Sequence, residues 1–82
     1  MPEEQAESYV PRTEDIAKVE NNFKYHTPKG SQPKRYEEIR AEAKVFAELL
    51  LKSCPPSREL SVALTELETA VMWANASIAR NE

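Results

Sequence analysis

The chain has 82 residues, a net charge of −3, one cysteine, one histidine and one glycine. One small domain of this length buries only about 60% of its unfolded surface, so its monomer is marginal without a disulfide, a metal or a partner. A lone cysteine rules out an internal disulfide. One cysteine with one histidine rules out an ordinary four-ligand zinc site, and the acidic total argues against general DNA or RNA binding.

Self-association is the common route left, and nothing in the composition uses oxidation, which fits a reducing cytoplasm. Met1-Pro2-Glu3-Glu4 has neither the basic start nor the apolar run of a signal peptide. No stretch is long and apolar enough to span a membrane. The charge is unevenly spread: residues 1–23 carry a net of −4, residues 24–40 a net of +3 and residues 41–82 a net of −2. An anionic partner is drawn to that short basic window, although an exposed helix start with solvated lysines produces the same pattern.

Residues 1–12 are polar, contain Pro2 and Pro11, show no period and read as a flexible tail. Residues 13–82 read as one helical domain. Its first element is a short helix over 13–23, with Thr13 as N-cap and Glu14 and Asp15 where the helix dipole favours acids. Ile16, Val19 and Phe23 give it one apolar stripe. Pro28 and Gly30 mark residues 24–32 as a loop, and Ser31 is placed to cap the helix after it.

That helix is expected over 33–54, where Tyr36, Ile39, Ala43, Phe46 and Leu50 recur at spacings of 3 and 4. Pro55 and Pro56 stop it, and Ser57 caps a second long helix over 57–80. There Leu60, Leu64, Leu67, Val71, Ala74 and Ile78 keep the same spacing. The short connection makes the two helices antiparallel neighbours. Val45, Leu49 and Leu51 lie off the first stripe, and Val62, Met72 and Trp73 lie off the second. A helix apolar nearly all round is buried on several sides, so copies of the hairpin are the expected cover. Trp73, Met72, Leu49 and Val45 are the expected interface residues, and Cys54 a helix-end packing residue.

No constellation for catalysis stands out. Gly30 is isolated rather than part of a phosphate loop, and no serine or cysteine has a local His–acid partnership. Glu37, Glu38 and Glu42 sit among basic residues at spacings suited to pairs within the helix. The residues that do suit a ligand surround the loop: Phe23, Lys24, Tyr25 and His26, then Arg35 and Arg40. A nucleotide needs a flat face for its base and cations or helix-start N–H groups for its phosphate. Tyr25 can supply the first; Lys24, Arg40 and the helix start at Pro33 the second. The residues alone favour the plainer reading, in which Tyr25 packs on the hairpin and His26 bonds a loop carbonyl.

Asn22-Phe23-Lys24-Tyr25-His26-Thr27-Pro28, Gln32 and Arg35-Tyr36-Glu37-Glu38-Ile39-Arg40 resemble the opening of the phage anti-CBASS cyclic-nucleotide sponges. Ser57-Arg58-Glu59, Ala63-Leu64-Thr65, Leu67-Glu68 and Ala70-Val71-Met72-Trp73-Ala74-Asn75-Ala76-Ser77-Ile78-Ala79-Arg80-Asn81 resemble the rest of their hairpin. CBASS is a bacterial defence that signals infection with cyclic oligonucleotides, and a related hairpin occurs in sponges that oppose Thoeris defence.

The resemblance implies an all-α homohexamer in the cytoplasm of the infected host. It implies binding of cyclic dinucleotides such as 3′,3′-cGAMP, and in some members cyclic trinucleotides at a separate site, without cleavage. The ligand set it points to is Tyr25 for stacking, Arg40 for phosphate, and Lys24, His26, Phe23, Arg35 and Lys44 around them. Arg80 and Asn75 fall to the trinucleotide site, with Asn75 alternatively bonding across an interface. No cofactor, metal, catalytic residue, DNA, RNA or membrane is implied. Two other readings stand beside it: a non-catalytic hairpin adaptor for a protein partner, and a sponge for cyclic ADP-ribose isomers.

Overall fold

The computed structural model describes residues 8–82. Three helices account for most of them, α1 over Thr13–Asn22, α2 over Gln32–Ser53 and α3 over Arg58–Asn81, with no strand among the described residues. Of the expected tail, residues 1–7 lie outside the described residues, and residues 8–12 are non-helical and exposed.

The helix ends follow local chemistry, with two corrections. Arg12, not Thr13, occupies the N-cap of α1. Its carbonyl accepts the Asp15 and Ile16 amides at 3.0 Å, and its side chain pairs with Asp15 at 2.9 Å. Ser31 does sit at the N-cap of α2, but its hydroxyl accepts from Arg35 Nε at 3.1 Å rather than from a backbone amide. Helix α2 begins at Gln32, with Pro33 in the first turn, where the missing N–H would have had no helical partner. Just before it, Gly30 sits at φ +57°, a left-handed conformation that a Cβ disfavours.

At the other end Cys54 is half-buried and extended at φ −122°, ψ 138°, as Pro55 requires of the residue before it. Ser57 caps α3 as expected: its Oγ accepts the Leu60 amide at 3.1 Å while its hydroxyl donates to the Pro55 carbonyl. At ~1.5 Å per residue, α3 is about 36 Å long.

Helices α2 and α3 pack on each other along the two stripes. Tyr36, Ile39, Ala43 and Leu50 of α2 are half-buried, as are Leu64, Leu67, Val71, Ala74 and Ile78 of α3. Phe46 departs from the pattern and is exposed. Leu60, 8% exposed, is the only buried hydrophobic residue among those described. One seam between two helices has a partner on one side only, so the described residues of a single chain enclose no core. The radius of gyration is 19.1 Å, against about 12 Å for a compact domain of this length. The shortest dimension, 15 Å, is little more than one helix diameter.

The off-stripe residues are correspondingly open. Met72 is 67% and Trp73 64% exposed, and Val45, Leu49, Leu51 and Val62 are exposed as well. The Arg80 guanidinium lies 5.8 Å from the Trp73 ring centroid, within cation–π range. The expected pairs within α2 do not form. The ion pairs among the described residues are Arg12–Asp15 and Arg35–Glu82, and Arg35 reaches across the hairpin instead of along its own helix.

Candidate functional site

The open end of the hairpin, where α2 begins and α3 ends, is held by polar groups. The last carbonyls of a helix have no partner within it, and here neighbours supply donors. Asn21 Nδ2, at the end of α1, donates to the Arg80 carbonyl at 2.9 Å. Lys29 Nζ donates to the Glu82 carbonyl at 3.0 Å. The same glutamate accepts Arg35 through both oxygens, Nη2 to Oε1 at 2.6 Å and Nη1 to Oε2 at 2.8 Å, and accepts Gln32 Nε2 at 3.0 Å. Gln32, only 4% exposed, uses its other end to accept the Lys29 amide at 3.1 Å. The hydrogen bonds from Arg35, then Gln32, hold the Glu82 carboxyl down at about 2, and Glu82 in turn raises Arg35. This latch fixes the far end of the loop. The near end is fixed by His26, whose Nε2 lies 2.8 Å from the Asn21 carbonyl, which accepts its proton.

Between these two fixtures the loop runs along a cleft of about 450 Å³. Asn22, Lys24, Tyr25 and His26 line it from the α1 end and the loop, Tyr36 and Arg40 from α2, and Asn75, Ala76, Ala79 and Arg80 from α3. Tyr36 and Arg40 stand one turn apart, as do Ala76 and Arg80, so each helix turns one face to the same space. The two alanines leave room. Tyr25 is 81% exposed, its ring free to take a flat partner, and Lys24, Arg40 and Arg80 place three cations around it.

Tyr25, Lys24, His26 and Arg40 therefore come together as the residue pattern suggests. Arg80 and Asn75, expected at a separate site, line this same cleft within one chain. Phe23, Arg35 and Lys44 do not line it. Phe23 points to solvent, Arg35 is committed to Glu82, and Lys44 lies further along the hairpin. There Lys44 and Arg40 border a mainly apolar groove of about 310 Å³ with Ala43, Ala47, Leu64, Leu67, Glu68 and Val71. Arg40 is shared by both. Arg80 is likewise shared with a groove of about 350 Å³ between α1 and α3, where Lys18, Asn21, Trp73 and Asn81 also contribute.

Four lining residues were not singled out for the site, Asn22, Tyr36, Ala76 and Ala79. Tyr36 belongs to the packing stripe by spacing, yet it carries a hydroxyl and sits four residues before Arg40. That pairing is the signal that places it at the cleft. Among the described residues no three His, Cys, Asp or Glu side chains gather as a metal site, and no helix is long and apolar enough to cross a membrane.

The family model described as "Acb2/Tad1, hairpin domain" matches residues 15–79. The match takes in most of α1, the loop, the whole of α2 and nearly all of α3, and every cleft residue except Arg80. No curated protein and no solved structure gives a significant match. The chain therefore belongs to the Acb2/Tad1 hairpin family, the anti-CBASS sponge family that its loop and hairpin motifs resemble, and its role is of the anti-defence, sponge type.

Proposed function

We propose that this protein binds cyclic oligonucleotide second messengers, cyclic dinucleotides foremost, and withholds them from a host effector without cleaving them. The observation that carries the reading is the cleft itself, which sets an open aromatic ring, Tyr25, among Lys24, Arg40 and Arg80. A cyclic dinucleotide is a compact ring with two phosphates and two flat bases. Stacking on Tyr25 and charge pairing with the arginines answer both features. Family membership supports the same reading, and its setting is then the cytoplasm of an infected bacterium.

The exposed apolar residues extend the proposal to assembly. Val45, Leu49, Met72 and Trp73 are the contacts through which copies of the hairpin cover one another, and the family resemblance makes six copies the expected number. The groove bordered by Arg40 and Lys44 then meets a neighbouring chain. A cleft as open as that at Tyr25 would be closed by the same neighbour.

Calorimetric titration against a panel of cyclic di- and trinucleotides tests the function. Binding, followed by recovery of intact ligand from heated complex, is the expected result. Recovery of linear product would make the protein an enzyme, and no heat with any member would leave a protein-binding adaptor. The panel should include cyclic ADP-ribose isomers, because the matching model also covers the second family name. Light scattering at micromolar concentration checks assembly, and a monomer would contradict it.

A further inference from the structure

Asn75 Oδ1 is fully buried and accepts no hydrogen bond, the only side-chain oxygen or nitrogen in that position among the described residues. A buried acceptor without a donor is destabilising, and a leucine of similar shape would not be. The same side chain lines the cleft with Tyr25 and Arg40, beside Ala76 and Ala79, whose small side chains leave the wall open next to it. A partner that presents a donor next to an acceptor in one plane would satisfy both ends of the carboxamide together.

We propose that Asn75 reads the edge of a base stacked on Tyr25, and that the edge it selects is that of adenine, whose N6 amino group and N7 stand side by side. This rests on the cyclic-nucleotide reading of the cleft and adds a specificity to it. The carboxamide turns out of the wall, accepts from N6–H with Oδ1 and donates to N7 with Nδ2. An unfavourable contact in the free protein becomes a pair of hydrogen bonds in the complex, so discrimination comes from one residue. Hypoxanthine keeps N7 and the stacking face but carries an oxygen in place of the amino group. It answers only one end of the amide.

The test compares cyclic di-adenosine monophosphate with cyclic di-inosine monophosphate by calorimetry on wild type, Asn75→Leu and Tyr25→Ala, with melting temperature and light scattering alongside. Asn75→Leu is expected to melt no lower than wild type, to keep its oligomeric state, and to lose roughly ten- to a hundredfold in affinity for the adenine ligand. Its affinity for the inosine ligand should stay within about twofold. Asn75→Ala, which removes the carboxamide and leaves the stacking ring in place, should show the same selective loss and serves if the leucine variant fails to fold. Equal losses for both ligands, or a broken oligomer, would overturn the assignment and make Asn75 structural. An unaltered adenine affinity in Asn75→Leu, with binding lost in Tyr25→Ala, would overturn it while the sponge reading stands. Absence of binding by the wild-type protein to either ligand would remove both.

Discussion

The two ends of the hairpin are closed in different ways. At the turn, four consecutive residues do everything: Cys54 is extended, Pro55 and Pro56 bar the helix, and Ser57 caps its successor 3.1 Å from the Leu60 amide. Leu60, the one buried hydrophobic residue among those described, comes in the first turn of α3. At the open end the chain crossings join residues 47 to 59 positions apart, Arg35 with Glu82, Gln32 with Glu82, and Asn21 with Arg80. The turn end is apolar and local, whereas the open end is polar and distant in sequence. A polar closure leaves donors, acceptors and charges at the surface, and that is where the cleft lies.

Breaking the turn end should affect folding most. Leu60→Ala is expected to lower stability by about 2 kcal/mol, at the low end for a leucine because its neighbours are only half-buried. Urea unfolding at fixed protein concentration measures it, since assembly ties stability to concentration. A loss below a quarter of that would mean the seam, not the turn, holds the hairpin. Breaking the open end at Tyr25 should instead leave folding alone. Tyr25→Ala is expected to weaken cyclic-dinucleotide binding by ~1–3 kcal/mol with the oligomer unchanged by light scattering; an unaltered affinity would show that the ring does not stack.

Ser57→Ala sharpens the contrast at the turn, with a loss of about 1 kcal/mol in unfolding and ligand affinity per folded chain unchanged. The smallest effect belongs to the latch. Glu82 titrates at about 2 in the folded chain against an ordinary 4.5, so its contribution is whole above 4.5 and disappears as pH falls towards about 2. Both partners are solvent-accessible, and water screens the pair. Stability profiles of wild type and Glu82→Gln should differ slightly near neutral pH and converge below pH 4.5. A constant gap down to about pH 2 would show that the carboxylate charge is not what stabilises the latch.

Much of the hairpin was legible from residue order, because the signals act over a few positions. The stripes from Tyr36 to Leu50 and from Leu60 to Ile78 face each other, and the Ser57 cap formed as its sequence suggests. Thr13 is inside the helix because the Arg12 carbonyl takes the Asp15 and Ile16 amides one residue earlier, and Ser31, though at the N-cap, does not cap with its side chain. Arg12 drew Asp15, and Arg35 took the Ser31 hydroxyl. The aromatic and basic residues around the loop were also readable, and Tyr25, Lys24, His26 and Arg40 do share one cleft.

What spacing could not reveal is which cations stay free. Arg35 and Arg40 lie five residues apart on one helix, yet one is spent on Glu82 and the other faces the cleft. Local sequence determined the elements, the stop at Pro55 and Pro56 and most of the apolar faces, since each is set within one or two turns. Only the tertiary structure decided that Asn75 and Arg80 stand with Tyr25, because they meet through the end of α3 folding back against a loop some fifty residues earlier. Pairings at that distance depend on where the backbone ends up, and no local pattern encodes it.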